Sequence, residues 1–178
     1  MSKSVIAVSI ANTNTTRLFD LDQSSIQGKV ILVFSSRYES SNASIKLLAK
    51  QGGAKDLMIV DVEDFDYDIL DELHKLTQAE INEVCGLSAL GKSQYNVNYP
   101  TPENIRPVYN FIKKYANYDF IVGCSAGVSR TGALVKFMTE CVPDPWKLNN
   151  QFNTSFCCCQ PVLDYLKTAQ KADMTSAP

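Results

Sequence analysis

The chain has 178 residues, the size of one domain, since single domains run to roughly 100 to 200 residues. Its 45% hydrophobic, 20% charged and 10% aromatic content is that of an ordinary globular protein, which excludes intrinsic disorder, collagen and coiled coil. Seventeen basic residues against nineteen acidic ones give a net charge of −2, so nucleic acid is not an expected partner.

In chain order, the apolar stretch Val5 to Ile10 is read as a first strand, because it is too short before Asn12 and Asn14 for a secretory signal. Ala11 to Gly28 is polar without periodicity and is expected to be a loop. Val30 to Phe34 reads as a second strand, and no apolar run approaches the roughly 20 residues that a membrane-spanning helix needs. Ile45, Leu47 and Leu48 place a helix over Ser41 to Gln51, stopped by Gly52 and Gly53. Leu57 to Val62 is the third strand. Ile69, Leu70, Leu73, Leu76, Ile81 and Val84 recur at helical spacing and predict one helix from Asp68 to Val84, followed by a loop from Gly86 to Pro100.

Thr101-Pro102-Glu103 combines an N-cap, a proline at the first helical position and an acid in the first turn. It opens a helix through about Tyr115, with a kink expected at Pro107. A fourth strand begins at Phe120 and ends at Cys124. A helix from about Arg130 to Cys141 is stopped by Pro143 and Pro145, and Pro161 opens a last helix to about Lys171. Short Val/Ile/Leu runs alternating with helices imply an α/β fold: a central, mostly parallel sheet of four to five strands flanked by helices. It forms one domain over residues 1–172 with a flexible tail over 173–178.

The chemistry concentrates in Gly123-Cys124-Ser125-Ala126-Gly127-Val128-Ser129-Arg130-Thr131-Gly132, where a strand meets a helix through a loop of small residues. Such a junction is an anion cradle, because backbone N–H groups converge on one point at the positive end of the helix dipole. Ser125, Ala126, Gly127, Val128 and Ser129 let the backbone approach an oxyanion, and Arg130 grips two oxygens through its planar fork. A cysteine at the floor turns binding into reaction. A free thiol, with a pKa of about 8.5, is only a few per cent ionised at pH 7, and dipoles that hold phosphate also stabilise thiolate. Thr131 is placed to donate a hydrogen bond to the sulfur. The chemistry suggested is attack of Cys124 on phosphorus, a phosphocysteine intermediate and its hydrolysis by water.

Cys124-x5-Arg130-Thr131, with Ala126-Gly127 inside and Gly132 after it, resembles the signature loop of the protein tyrosine and dual-specificity phosphatase superfamily. The compact layout is similar to the dual-specificity branch and to small phosphatase-like proteins of microbes and their viruses. The resemblance covers roughly Leu57 to Cys141. It implies a hydrolase without metal or cofactor, acting on a phosphorylated protein or a small phosphomonoester. It also implies an aspartate as general acid, which the strand and loop Leu57 to Asp64 place at Asp64, with Asp61 and Asp66 as alternatives. The uncharged Ser125 and Val128 favour a phosphoprotein over phosphoinositides. Two positions depart from the family pattern. Gly123 stands where a loop-ordering histidine usually precedes the cysteine, and the 60 positions from Asp64 to Cys124 require an inserted helix and loop.

Those departures motivate an alternative, a catalytically weak or inactive phosphate-binding pseudophosphatase. A third reading, redox or arsenate chemistry, needs a second thiol from Cys85, Cys141 or the triplet Cys157, Cys158 and Cys159. Adjacent cysteines make a poor disulfide framework, which favours a reducing cytoplasm. Asp64, Asp66 and Asp68 match the first ligands of an EF-hand loop, but Ile69 and Lys75 stand where glycine and glutamate are needed, so no metal is expected. His74 is expected to be structural, Trp146 a packing residue, and Arg37 either a substrate contact or a solvated charge.

Overall fold

The computed structural model describes residues 2–12, 15–35, 41–77, 79–81, 98–150 and 158–176. Five strands, β1 (Ser4–Ser9), β2 (Val30–Phe34), β3 (Asp56–Val60), β4 (Phe120–Cys124) and β5 (Lys147–Leu148), form one sheet. Its order is β3-β2-β4-β1-β5 and every pairing is parallel. The helices are α1 (Gln23–Ile26), α2 (Ser41–Gly52), α3 (Tyr67–Leu73), α4 (Pro102–Lys114), α5 (Ser129–Lys136) and α6 (Gln160–Thr175). The expected α/β architecture is therefore present, and the sheet is wholly parallel.

Successive strand residues point to opposite faces, so each buried strand feeds two cores. Val5, Ala7, Leu32, Phe34, Phe120, Val122 and Cys124 pack with Ile105 and Val108 of α4, Leu134 of α5 and Leu166 of α6. Ile6, Val8, Ile31, Val33 and Ile121 pack on the other face with Ile26 of α1 and Ile45 and Ala49 of α2. Trp146 is buried in the larger core, its indole N–H donating to the Tyr118 carbonyl at 2.8 Å. Among the described residues no helix is long and apolar enough to cross a membrane.

Several predicted boundaries move for local reasons. The stretch expected to be a loop before β2 contains a 3₁₀ turn at Leu18–Asp20 and α1, whose start is fixed by the Asp22 carboxylate accepting from the Ser25 N–H at 2.7 Å. The helix expected from Asp68 to Val84 ends at Leu73, and Thr77 and Glu80 form a reciprocal cap that starts a new turn. Val84, Cys85 and most of the loop predicted up to Pro100 lie outside the described residues. The helix after the signature loop changes to a π turn over Phe137–Cys141, where the Thr139 hydroxyl bonds back to the Val135 carbonyl at 2.9 Å. The α4 helix runs on through Pro107, opened by a capping box of Thr101 and Asn104. The last helix continues to Thr175, into the segment expected to be tail, because the Asp173 carboxylate accepts from Tyr109 and Lys113 of α4.

The strand that carries the cysteine is the central constraint. Val8 of β1, Gly123 of β4 and Val33 of β2 lie side by side in register, and a Cβ on Gly123 would meet Val8 Cγ2 at 2.7 Å and the Val8 carbonyl oxygen at 2.8 Å. No histidine fits there without moving β1, which accounts physically for the first departure from the phosphatase pattern. We expect Gly123→Ala to cost about 1–3 kcal/mol by overpacking, read as a lower urea midpoint at unchanged slope. Gly123→His should cost more, not restore a missing function.

Candidate active site

The chain runs outward from β1 to β2 to β3 and then returns to place β4 between β1 and β2. Such a reversal of strand order opens a crevice at the carboxyl ends of the strands, where ligands bind in open α/β sheets. Cys124 ends β4 at this crevice, and the signature loop leads from it into α5.

The loop is held from outside by the residues that follow β1. The Ile10 N–H donates to the carbonyls of Cys124 (3.1 Å) and Ser125 (3.2 Å), and the Ala11 N–H to that of Ser125 (2.9 Å). The Asn12 side-chain amide donates to the Ala126 carbonyl at 3.3 Å. In a trans peptide C=O and N–H point opposite ways, so drawing the Ser125 carbonyl toward residues 10 and 11 turns the Ala126 N–H away from them. The Gly127 N–H closes a tight turn on the Cys124 carbonyl at 3.1 Å. Gly127 has φ +68°, and a Cβ there would lie 2.6 Å from Ser9 Cβ, so turn geometry and close approach both demand glycine.

No side chain caps α5, whose N-cap is Val128. Helix-terminal N–H groups without a cap have no intrahelical acceptor and favour an anion, and the dipole adds to that preference. Arg130 is 6% exposed. One of its terminal nitrogens donates to the Val62 carbonyl at 2.6 Å, while Nε is buried without a hydrogen-bond partner, 4.0 Å from Asp64 Oδ2. Leaving such a donor unpaired costs about 1–3 kcal/mol, which an oxyanion would recover.

Cys124 is 1% exposed, and the fully buried Thr131 hydroxyl donates to its sulfur at 3.0 Å. Among the candidate acids, Asp64 accepts from the Ser129 hydroxyl at 2.8 Å and faces Arg130. Asp66 caps α3 by accepting from the Ile69 N–H at 3.0 Å, and Asp61 accepts from the Asn98 amide at 2.9 Å. Thus Cys124, Thr131, Arg130 and Asp64 are brought together around one loop. His74 lies exposed at the end of α3, edge-on to Tyr99. Arg37 and Cys157 fall outside the described residues. Among the described residues no three His, Cys, Asp or Glu side chains cluster to hold a metal.

Residues 10–12 and Cys159 were not assigned to the site from sequence, because only the folded register brings them to the loop. Cys159 caps α6 with its backbone, its N–H donating to the Ser129 carbonyl at 3.1 Å and its thiol to the Phe65 carbonyl at 3.6 Å. Burial pushes this thiol up to about 12, opposed by the Val162 N–H and supported by the neighbouring Asp64 carboxylate. Burial also raises the thiols of Cys141 and Cys158. Because a raised pKa empties the thiolate form, Cys159 should resist iodoacetamide in the native protein at pH 8 and react only after denaturation, as read by mass spectrometry.

Comparison with protein-family models, curated proteins and solved structures finds no match.

Proposed function

We propose that the protein is a phosphomonoester hydrolase of the tyrosine or dual-specificity phosphatase type, working through a phosphocysteine. The observation that carries this reading is the Thr131 hydroxyl on the Cys124 sulfur, at the foot of an uncapped helix beside a buried, unpaired Arg130 Nε.

In the proposed reaction the Cys124 thiolate attacks phosphorus as the bond from phosphorus to the leaving oxygen breaks. Asp64 gives its proton to that oxygen. Water then attacks the phosphocysteine, Asp64 takes the water's proton, and phosphate leaves as the thiolate reforms. Thr131 supports the sulfur through its 3.0 Å hydrogen bond in both halves. Charge on the equatorial oxygens meets the loop N–H groups and the Arg130 fork, donors already fixed before reaction. Arg130 is itself braced by Val62, so its orientation needs no reorganisation when the anion arrives.

Phosphorylated proteins or small phosphomonoesters are the proposed substrates, and a reducing cytoplasm suits four thiols that are unbridged among the described residues. A catalytically silent phosphate-binding module is the rival reading, favoured by the absence of a histidine at Gly123.

The test is hydrolysis of p-nitrophenyl phosphate under reductant and chelator. Cys124→Ser should abolish turnover and vanadate should inhibit the wild type, while Asp64→Asn should lower turnover of an alkyl phosphate by about 10²- to 10⁴-fold and that of p-nitrophenyl phosphate, whose leaving oxide needs little protonation, by much less. Absence of turnover, with vanadate still bound by the wild type and lost in Arg130→Ala, would establish the binding module instead.

A further inference from the structure

Cys159 is the buried nucleophile that the proposed reaction leaves unused, and its contacts form a closed ring with the loop bearing Asp64. Its backbone N–H holds the Ser129 carbonyl at 3.1 Å, and the Ser129 hydroxyl holds Asp64 Oδ1 at 2.8 Å. Asp64 is followed in the chain by Phe65, whose carbonyl accepts from the Cys159 thiol at 3.6 Å. The ring joins α5, α6 and the segment between β3 and α3, and Cys159 is 3% exposed within it. The same segment is tied to α5 by Arg130 on Val62 and to α6 by the Tyr67 hydroxyl on Asp164 at 3.0 Å.

We infer that Cys159 is a positioning residue for the general acid, holding the Asp64 loop against the start of α5 so that the carboxyl stays at the signature loop. This rests on the reading of Asp64 as the acid of a Cys124-dependent hydrolase. The sulfur serves as a donor and a filler, not as a nucleophile, since burial keeps it protonated. Without the thiol the Phe65 carbonyl loses its bond, a space opens beside Asp64, and the carboxyl gains rotamers. Misplacement of about 1 Å at a reacting group is enough to cost up to about a hundredfold in rate. The loss falls on substrates that need protonation at the leaving oxygen, because an aryl oxide with a low pKa departs without help.

The experiment compares wild type, Cys159→Ala, Cys159→Ser, Asp64→Asn and the Cys159→Ala/Asp64→Asn double variant on p-nitrophenyl phosphate and on an alkyl phosphate. Cys159→Ala should lower the alkyl rate about tenfold or more relative to the aryl rate, and Cys159→Ser, which keeps a donor, should recover most of it. In the Asp64→Asn background Cys159→Ala should add no further loss, as expected for two residues acting through one step. An equal loss on both substrates, or additive losses, would overturn the inference. A second readout does not depend on turnover: the ¹³C shift of the Asp64 carboxyl, followed against pH, should differ between wild type and Cys159→Ala and return toward wild type in Cys159→Ser. An unchanged titration in a folded Cys159→Ala or Cys159→Val protein overturns the positioning role. A changed titration without Cys124-dependent hydrolysis sinks the hydrolase reading and leaves the positioning role standing.

Discussion

Everything at the site depends on β4 being hydrogen-bonded on both sides. Phe34 of β2 and Ser9 of β1 both stand beside Cys124, so the cysteine is fixed by two ladders before the loop begins. A central parallel strand has little freedom to slide, since a slip by one residue would exchange the residues it sends to the two cores. Gly123 is the cost of that close fit: the crowded Val8 backbone leaves no room for a side chain one position before Cys124.

The same crowding explains how the loop is ordered without a preceding histidine. Residues 10–12 supply donors to the outer carbonyls of Cys124, Ser125 and Ala126, and Ser9 packs where a Cβ of Gly127 would stand. The loop is thus shaped by the continuation of β1, an element more than a hundred positions away in the chain. Opposite it, α6 closes the site through Cys159, and the buried Thr131 and Arg130 side chains link loop and core. The residues proposed to meet an anion are consequently also packing residues.

The parallel sheet was legible because buried strands such as Val30–Phe34 are unbroken apolar runs, and the signature loop because its chemistry is local. The Asp68 to Val84 reading failed where apolar spacing continued across Thr77, whose capping box with Glu80 outweighed periodicity. The same rule of side-chain caps, applied to Asp22 and Ser25, would have found α1. Asp64 could be put forward from its place after a strand, but its contacts with Ser129 and Arg130 are long-range and were not legible, whereas Asp66 caps α3 locally and Asp61 accepts from Asn98. Nothing short-range marks Asn12 or Cys159, since their contacts arise only when the helices and strands assemble.

The unpaired Nε of Arg130 gives the candidate site a thermodynamic character of its own. A buried donor without an acceptor is a stability deficit held by the unliganded fold, and an anion that fills it binds the native chain and not the unfolded one. Occupancy at a hundred times the dissociation constant adds about 2.7 kcal/mol to the unfolding free energy. A phosphate bound there would in this sense be a folding ligand: the melting temperature would become a function of phosphate concentration, and stabilities measured in different buffers would describe different states of occupancy.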